Sequence, residues 1–240
     1  MAGEPRLTIG VGAALLALAP APAYALGIPV WMLVAAFLAA CSAMPEVADP
    51  SSDAPEAHVA AGRPYKDAPT YREALKLWRS AEDINAWIGA RFEYDMPRAM
   101  RLSETQRERM GRMPIPDPEA FFAAPSGACV DVSRFAVETL RAIDPEARPK
   151  YLMIEFDPVS RGGNVLRRHW VVAFERDGGR YFFADSKRPG HIAGPYANTE
   201  AFIAEYARYR GRRIVSFSER DSYERKLRTP AVKRSRGERR

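Results

Sequence analysis

The stretch Arg176-Asp177-Gly178-Gly179, set between residues 169–175 and 180–185, constrains this chain more than any other. Both flanking runs are rich in Val, Phe, Tyr and Ala, and Asp-Gly supplies the positive-φ residues that join antiparallel strands. A sheet therefore forms in the second half. Residues 150–156 and 214–217 are two further β-rich runs, and between the hairpin and the last of them Thr199 opens a helix with Phe202, Ile203, Tyr206 and Tyr209 on one stripe. The first half reads as helix instead. Residues 71–91 carry Leu75, Leu77, Trp78, Ile84, Trp87 and Ile88 at helical spacing, with Ser80 and Asp83 as candidate caps for a second helix. Residues 103–112 and 117–123 form two shorter helical or connecting segments. After the break Pro125-Ser126-Gly127, apolar residues recur at Val132, Phe135, Ala136, Leu140 and Ile143 until Asp144-Pro145 ends the pattern. Helices first and an antiparallel sheet after them give an α+β fold.

The N-terminal third is different in kind. No charge occurs in residues 7–40, which are dominated by Ala, Leu, Val, Ile and Gly, the composition of a secretion signal. Two cleavage sites are written there: Ala23-Tyr24-Ala25 as a small-x-small site, and Leu38-Ala39-Ala40-Cys41, which resembles a bacterial lipobox with Cys41 as the lipidated residue. Residues 41–69 follow with five prolines among Ser, Asp, Glu and Ala, a composition that reads as a tether. The domain plan is thus a lipoprotein-type signal over 1–40, an acylated Cys and tether over 41–69, a folded domain over 70–223 and a tail over 224–240. Ser42 after the lipidated cysteine resembles outer-membrane sorting, so the expected location is the periplasmic side of the envelope with a lipid anchor in the membrane.

Charge narrows the partners. Residues 224–240 hold eight Lys or Arg against two Glu, which accounts for the whole net charge of +6 and leaves residues 1–223 neutral. No nucleic acid partner is expected, because the folded part carries no basic excess. The tail has the charge to touch anionic lipid or an envelope polymer, or to be simply solvated.

Chemistry converges on one thiol. Cys129 stands at the start of the helix that follows Gly127, where unpaired backbone N–H groups and the positive end of the helix dipole stabilise a thiolate. A cysteine nucleophile also needs a base, oriented by a third group. Of the three histidines, His58 lies in the tether and His191 follows Pro189-Gly190 in a loop, whereas His169 begins a strand. A hairpin loop centred on Asp177 pairs His169 with Asp185 across the ladder, and a strict two-residue Asp177-Gly178 turn moves them out of register by one. Asp131, in the first helical turn, reads as a capping or dipole-matching carboxylate.

Cys129, His169 and Asp185, in this order on helix start, strand and adjacent strand, resemble the transglutaminase-like superfamily with its papain-like fold. The resemblance spans about residues 86–186. Gly127-Ala128-Cys129-Val130-Asp131 looks like its nucleophile helix, His169-Trp170-Val171-Val172 like its histidine strand, and Tyr181-Phe182-Phe183-Ala184-Asp185 like the strand ending in the triad carboxylate. Phe92-Glu93-Tyr94-Asp95 looks like the end of its entry helix, and residues 117–122 like the segment before the nucleophile in bacterial transglutaminase-like cysteine peptidases. Those enzymes flank the cysteine with acidic calcium ligands, but Ala128 and Val130 stand here, so no metal or other cofactor is expected.

The resemblance implies a thiol protease: Cys129 attacks an amide, His169 shuttles the proton and Asp185 orients the imidazole. The oxyanion would be held by the Cys129 backbone N–H and a donor from Trp78, Asn85 or Trp87. With water as acceptor the protein is a peptidase or amidase acting on a protein or peptide substrate through a thioester acyl-enzyme. With an amine as acceptor it is a cross-linking transglutaminase. A non-catalytic lipoprotein that binds peptides in the same cleft is the third reading.

Overall fold

The computed structural model describes residues 52–56 and 64–224. The signal segment, Cys41, His58 and all but the first residue of the basic tail lie outside the described residues. Two helices open the domain, α1 (Tyr71–Leu77) and α2 (Ala81–Arg91). Thr70 caps α1 by accepting from the Glu73 backbone N–H. A two-residue strand β1 (Glu93–Tyr94) leads to α3 (Met96–Arg101) and α4 (Glu104–Met110), capped by Asp95 and Ser103 respectively. Then come α5 (Pro118–Ala123), the short strand β2 (Ser126–Gly127) and the long helix α6 (Cys129–Ile143).

The second half is β3 (Lys150–Arg161), β4 (Asn164–Arg176), β5 (Gly179–Phe183), β6 (Ala193–Tyr196), α7 (Thr199–Arg210) and β7 (Ile214–Arg220). These strands form one five-stranded antiparallel sheet in the order β6-β5-β4-β3-β7. The architecture is α+β, as the sequence pattern requires. β3 and β4 run longer than their apolar cores because the diglycine Gly162-Gly163, with both φ positive, closes a hairpin beyond them. The short edge strand β6 carries too weak a pattern to have been visible in sequence.

Side chains alternate across the sheet. Tyr151, Met153, Trp170, Val172, Phe174 and Phe183 face the helical layer, where they bury α6 through Val132, Phe135, Ala136 and Leu140. Leu152, Ile154, Phe156, Val171, Ala173 and Phe182 face the other way, against Phe202, Ile203 and Tyr206 of α7. Stacked Phe182 and Phe202 rings, 3.8 Å between centroids, fasten that helix.

The hairpin register corrects one expectation. β4 and β5 join through a two-residue turn with positive φ at both Asp177 and Gly178, and Val172 pairs with Phe183. Continued, that register would set Asp185 opposite Trp170. The ladder ends at Phe183 instead, and Ala184 adopts φ 55°, which breaks the alternation and turns Asp185 back toward His169. The pair forms because the strand stops, not because it continues.

Candidate active site

Cys129 is the first residue of α6, and its position follows from a local fit. Gly127 pairs β2 with β1 in parallel, and the Asp95 N–H donates to the Gly127 carbonyl at 2.9 Å. Asp131 reaches back to accept the Ala128 N–H at 2.7 Å, capping a helix whose N-cap residue has no polar side chain. A Cβ on residue 127 would stand 2.8 Å from Asp131, so only glycine leaves space for that cap. Asp131 is fully buried and takes both a 2.7 Å bond from Arg98 Nε and another from Nη2. The Gly-x-Cys-x-Asp spacing thus fixes the thiol at a clamped helix start.

His169 is fully buried beside this start. Its Nε2 donates to Asp185 Oδ1 at 3.0 Å. The same carboxylate accepts from the Lys187 backbone N–H at 2.9 Å and the Tyr206 hydroxyl at 3.0 Å. Tyr206 also stacks on the imidazole, with centroids 5.9 Å apart and rings 17° from parallel. With Nε2 held, Nδ1 is the nitrogen left for the thiol. Cys129 Sγ, a ring nitrogen of His169 and a carboxylate oxygen of Asp53 all lie within 4.8 Å of one another. The Trp170 backbone N–H opposes the rise of the thiol pKa, beside the part of β4 that β5 has stopped covering.

Asp53, from the segment read as tether, stands at this junction. One oxygen lies 3.2 Å from His169 Nδ1, an ionic contact that is off-line for a hydrogen bond, and 2.7 Å from Arg210 Nη2. The Arg210 side chain is fully buried and donates to the Tyr206 hydroxyl at 3.1 Å. No sequence signal marked Asp53, because a Pro-rich stretch has no period to read. Tyr206 and Arg210 sit four apart on α7; the sequence stripe carried Tyr206 only as an apolar-face residue and left Arg210 unmarked.

The electrostatics follow from these contacts. Burial opposes charge on His169, but the Asp53 and Asp185 carboxylates outweigh it and raise its pKa well above the ordinary value. Burial would raise both carboxylates, yet His169 and the neighbouring arginines hold them far below the usual range. Burial pushes the Cys129 thiol up against the opposing pull of His169, and Asp53 pushes it further. With Asp53 in place, imidazolium pairs with two carboxylates rather than with a thiolate. Thiol, imidazole and carboxylate are also donors that a zinc ion takes, so a metal here would occupy the nucleophile itself.

Cys129 opens on a cavity of about 990 Å³ lined by Asp53, Tyr94, Met153 and Trp170 among others. The three side chains considered as oxyanion donors are not on its wall. Trp78 spends its Nε1–H on the Lys66 carbonyl at 3.0 Å, Trp87 stacks on Phe122 at 4.9 Å, and Asn85 is buried in α2 with Oδ1 unpaired. The Tyr94 hydroxyl is the lining donor nearest in kind, and its pKa is raised by burial and by the Asp53 and Cys129 charges.

No family model matches this sequence, and no curated protein does. Among solved structures, calcium-bound LapG of Legionella pneumophila is similar over 53% of this chain and 69% of that chain, at 16% identity and a TM-score of 0.31. That likeness is too distant to carry an argument about the site, which stands on its own geometry.

Proposed function

We propose that this chain is a cysteine hydrolase of peptide or other amide bonds, of the transglutaminase-like type. The observation that carries the reading is the grouping Asp185–His169–Cys129, with Nε2 bonded to the carboxylate and a ring nitrogen within 4.8 Å of a thiol at a helix start. With His169 neutral, the thiol passes its proton to Nδ1, and the sulfur attacks the amide carbonyl. The oxyanion takes the Cys129 backbone N–H and the Tyr94 hydroxyl. His169 returns the proton to the leaving amine, which departs and leaves a thioester. Water, deprotonated by the same nitrogen, then hydrolyses the thioester and restores the thiol.

An activity-based cysteine probe tests the reading directly. It should label the native chain at Cys129 and leave Cys129→Ala unlabelled, with Asp185→Asn slowed at least tenfold. Labelling no faster than that of free cysteine sinks it and favours a peptide-binding module.

The same reading puts the enzyme at the envelope through acylated Cys41. No helix of the described residues is long and apolar enough to cross a membrane. The lipobox-like spacing supports the anchor, and mass spectrometry tests it. The mature chain should begin with acylated Cys41, and an unmodified start at Leu26 rejects the anchor.

A further inference from the structure

Residues 52–56, Ser-Asp-Ala-Pro-Glu, enter the catalytic cavity at Ser52 and Asp53 and are held by polar contacts at both acids. The Ser186 hydroxyl donates to the Asp53 carbonyl at 3.0 Å, and Arg210 Nη2 lies 2.7 Å from the Asp53 carboxylate and 3.3 Å from the Ser52 carbonyl. The Glu56 N–H donates to the Lys187 carbonyl at 3.4 Å. The Glu56 carboxylate meets Lys187 Nζ at 3.3 Å and the Tyr209 hydroxyl at 3.0 Å. Both acids of the segment thus find a cation, the Ser52 carbonyl meets the same Arg210 guanidinium, and the Glu56 end finds a main-chain and a hydroxyl partner. The receptor is the Ser186–Lys187 corner after β5 together with the last turn of α7.

These are the marks of peptide recognition rather than of core packing. Ala54 and Pro55 are only half-buried and Glu56 is exposed, so the segment contributes little apolar burial. Arg210, by contrast, is fully buried with a carboxylate supplied from outside the helix–sheet body. The cavity lining also carries Arg107, Arg112 and Arg168, alongside Glu104, Glu108 and Glu155. Arg107 Nε is buried without a hydrogen-bond partner, and burial and the nearby Arg168 charge depress the basicity of Arg107. An anionic ligand would relieve both.

We propose that Ser186, Lys187, Tyr209 and Arg210 form a subsite for acidic peptides beside Cys129, and that residues 52–56 occupy it in cis. The proposal deepens the hydrolase reading by naming its substrate class, acidic polypeptide, and rests on that reading only for the cleavage step after binding. While Asp53 is seated it is the counter-ion of His169, in the place a thiolate would take. An incoming acidic peptide displaces the segment and exchanges Asp53 for its own carboxylate on Arg210. A cis segment competes at an effective concentration on the order of millimolar, which keeps weak ligands out.

The test is binding, in the full chain carrying Cys129→Ala, so that its outcome is independent of thiol reactivity. The probe is a fluorescein-labelled peptide reproducing residues 50–58, followed by anisotropy, with a second peptide carrying Asn and Gln in place of its two acids. Adding Asp53→Asn and Glu56→Gln to the chain should tighten binding of the acidic peptide at least tenfold. The neutral peptide should bind at least tenfold more weakly than the acidic one, and Lys187→Ala should remove most of that preference. Should the double variant fail to fold by circular dichroism, Glu56→Gln alone, at the exposed end, should still give about a threefold gain. Equal binding to chains with and without the native acids, or equal binding of the two peptides, overturns the proposal.

Discussion

The two faces of the central sheet are built by different physics. On the helical side, Trp78, Trp87, Phe121, Phe122 and Phe135 pack ring against ring over α6, with Trp87 and Phe122 only 8° from parallel. On the α7 side, an apolar base of Phe156, Phe182 and Phe202 supports a buried chain of charge running from Asp53 through Arg210 and Tyr206 to Asp185 and His169. The first face is held by ring packing; the second by buried charges that change with pH. Cys129 belongs to the first cluster and His169 to the second, so the reacting pair sits where the rigid face meets the charged one.

That contrast can be broken most sharply on the aromatic side. Trp87→Ala removes a ring stacked 4.9 Å from Phe122 and 4.8 Å from Phe135, and should cost about 3–5 kcal/mol in denaturant unfolding. The loss should be the same at pH 5 and pH 8. A comparable loss for Asp131→Ala, about 3–5 kcal/mol, is expected because Arg98 would be left without its buried partner.

On the charged side the expected signature is pH. The raised pKa of His169 gives stability that is complete below about pH 6.5 and is lost as pH rises through the folded value. The depressed Asp53 and Asp185 give stability that is complete above about pH 3.9 and is lost as pH falls through their folded values. The network is therefore strongest between about pH 4 and 6.5. Unfolding followed from pH 6.5 to 8 should show stability declining in the native chain, and His169→Gln should flatten that decline. A native profile without any decline over this window contradicts the charged-face account.

Histidine NMR sharpens the same comparison within one face. His169 should remain protonated above pH 6.5, whereas burial and the Arg188 charge lower His191, which should titrate below it. The smallest effect belongs to neither face. Arg148 and Glu175 form an exposed ion pair, and Arg148→Ala should change stability by less than about 0.5 kcal/mol, read from the same unfolding curves.

The helix that presents the nucleophile was legible in sequence to the residue. Its apolar period begins after Gly127 and ends at Asp144, and α6 spans Cys129–Ile143. The hairpin was legible in kind, since Asp177-Gly178 demanded a tight turn, and so was the partnership of His169 with Asp185, but the register that brings them together was not. It depends on where β5 ends and on the left-handed Ala184, neither of which leaves a compositional trace. The donors drawn from Trp78, Asn85 and Trp87 show the same limit. Residue chemistry names groups able to donate, while packing decides which of them reach the cavity.

The sequence by itself determined the order of the main helices and strands, the α+β class, and the choice of Cys129 and His169 as the pair worth testing. These are consequences of local periodicity, turn chemistry and the scarcity of Cys and His. Only the tertiary structure decided that Asp53 stands between Arg210 and His169, and that Tyr206 holds the carboxylate of Asp185. A buried cation requires a carboxylate partner, but it can draw that partner from anywhere the chain can reach. A contact between residues more than 150 positions apart is set by folding alone.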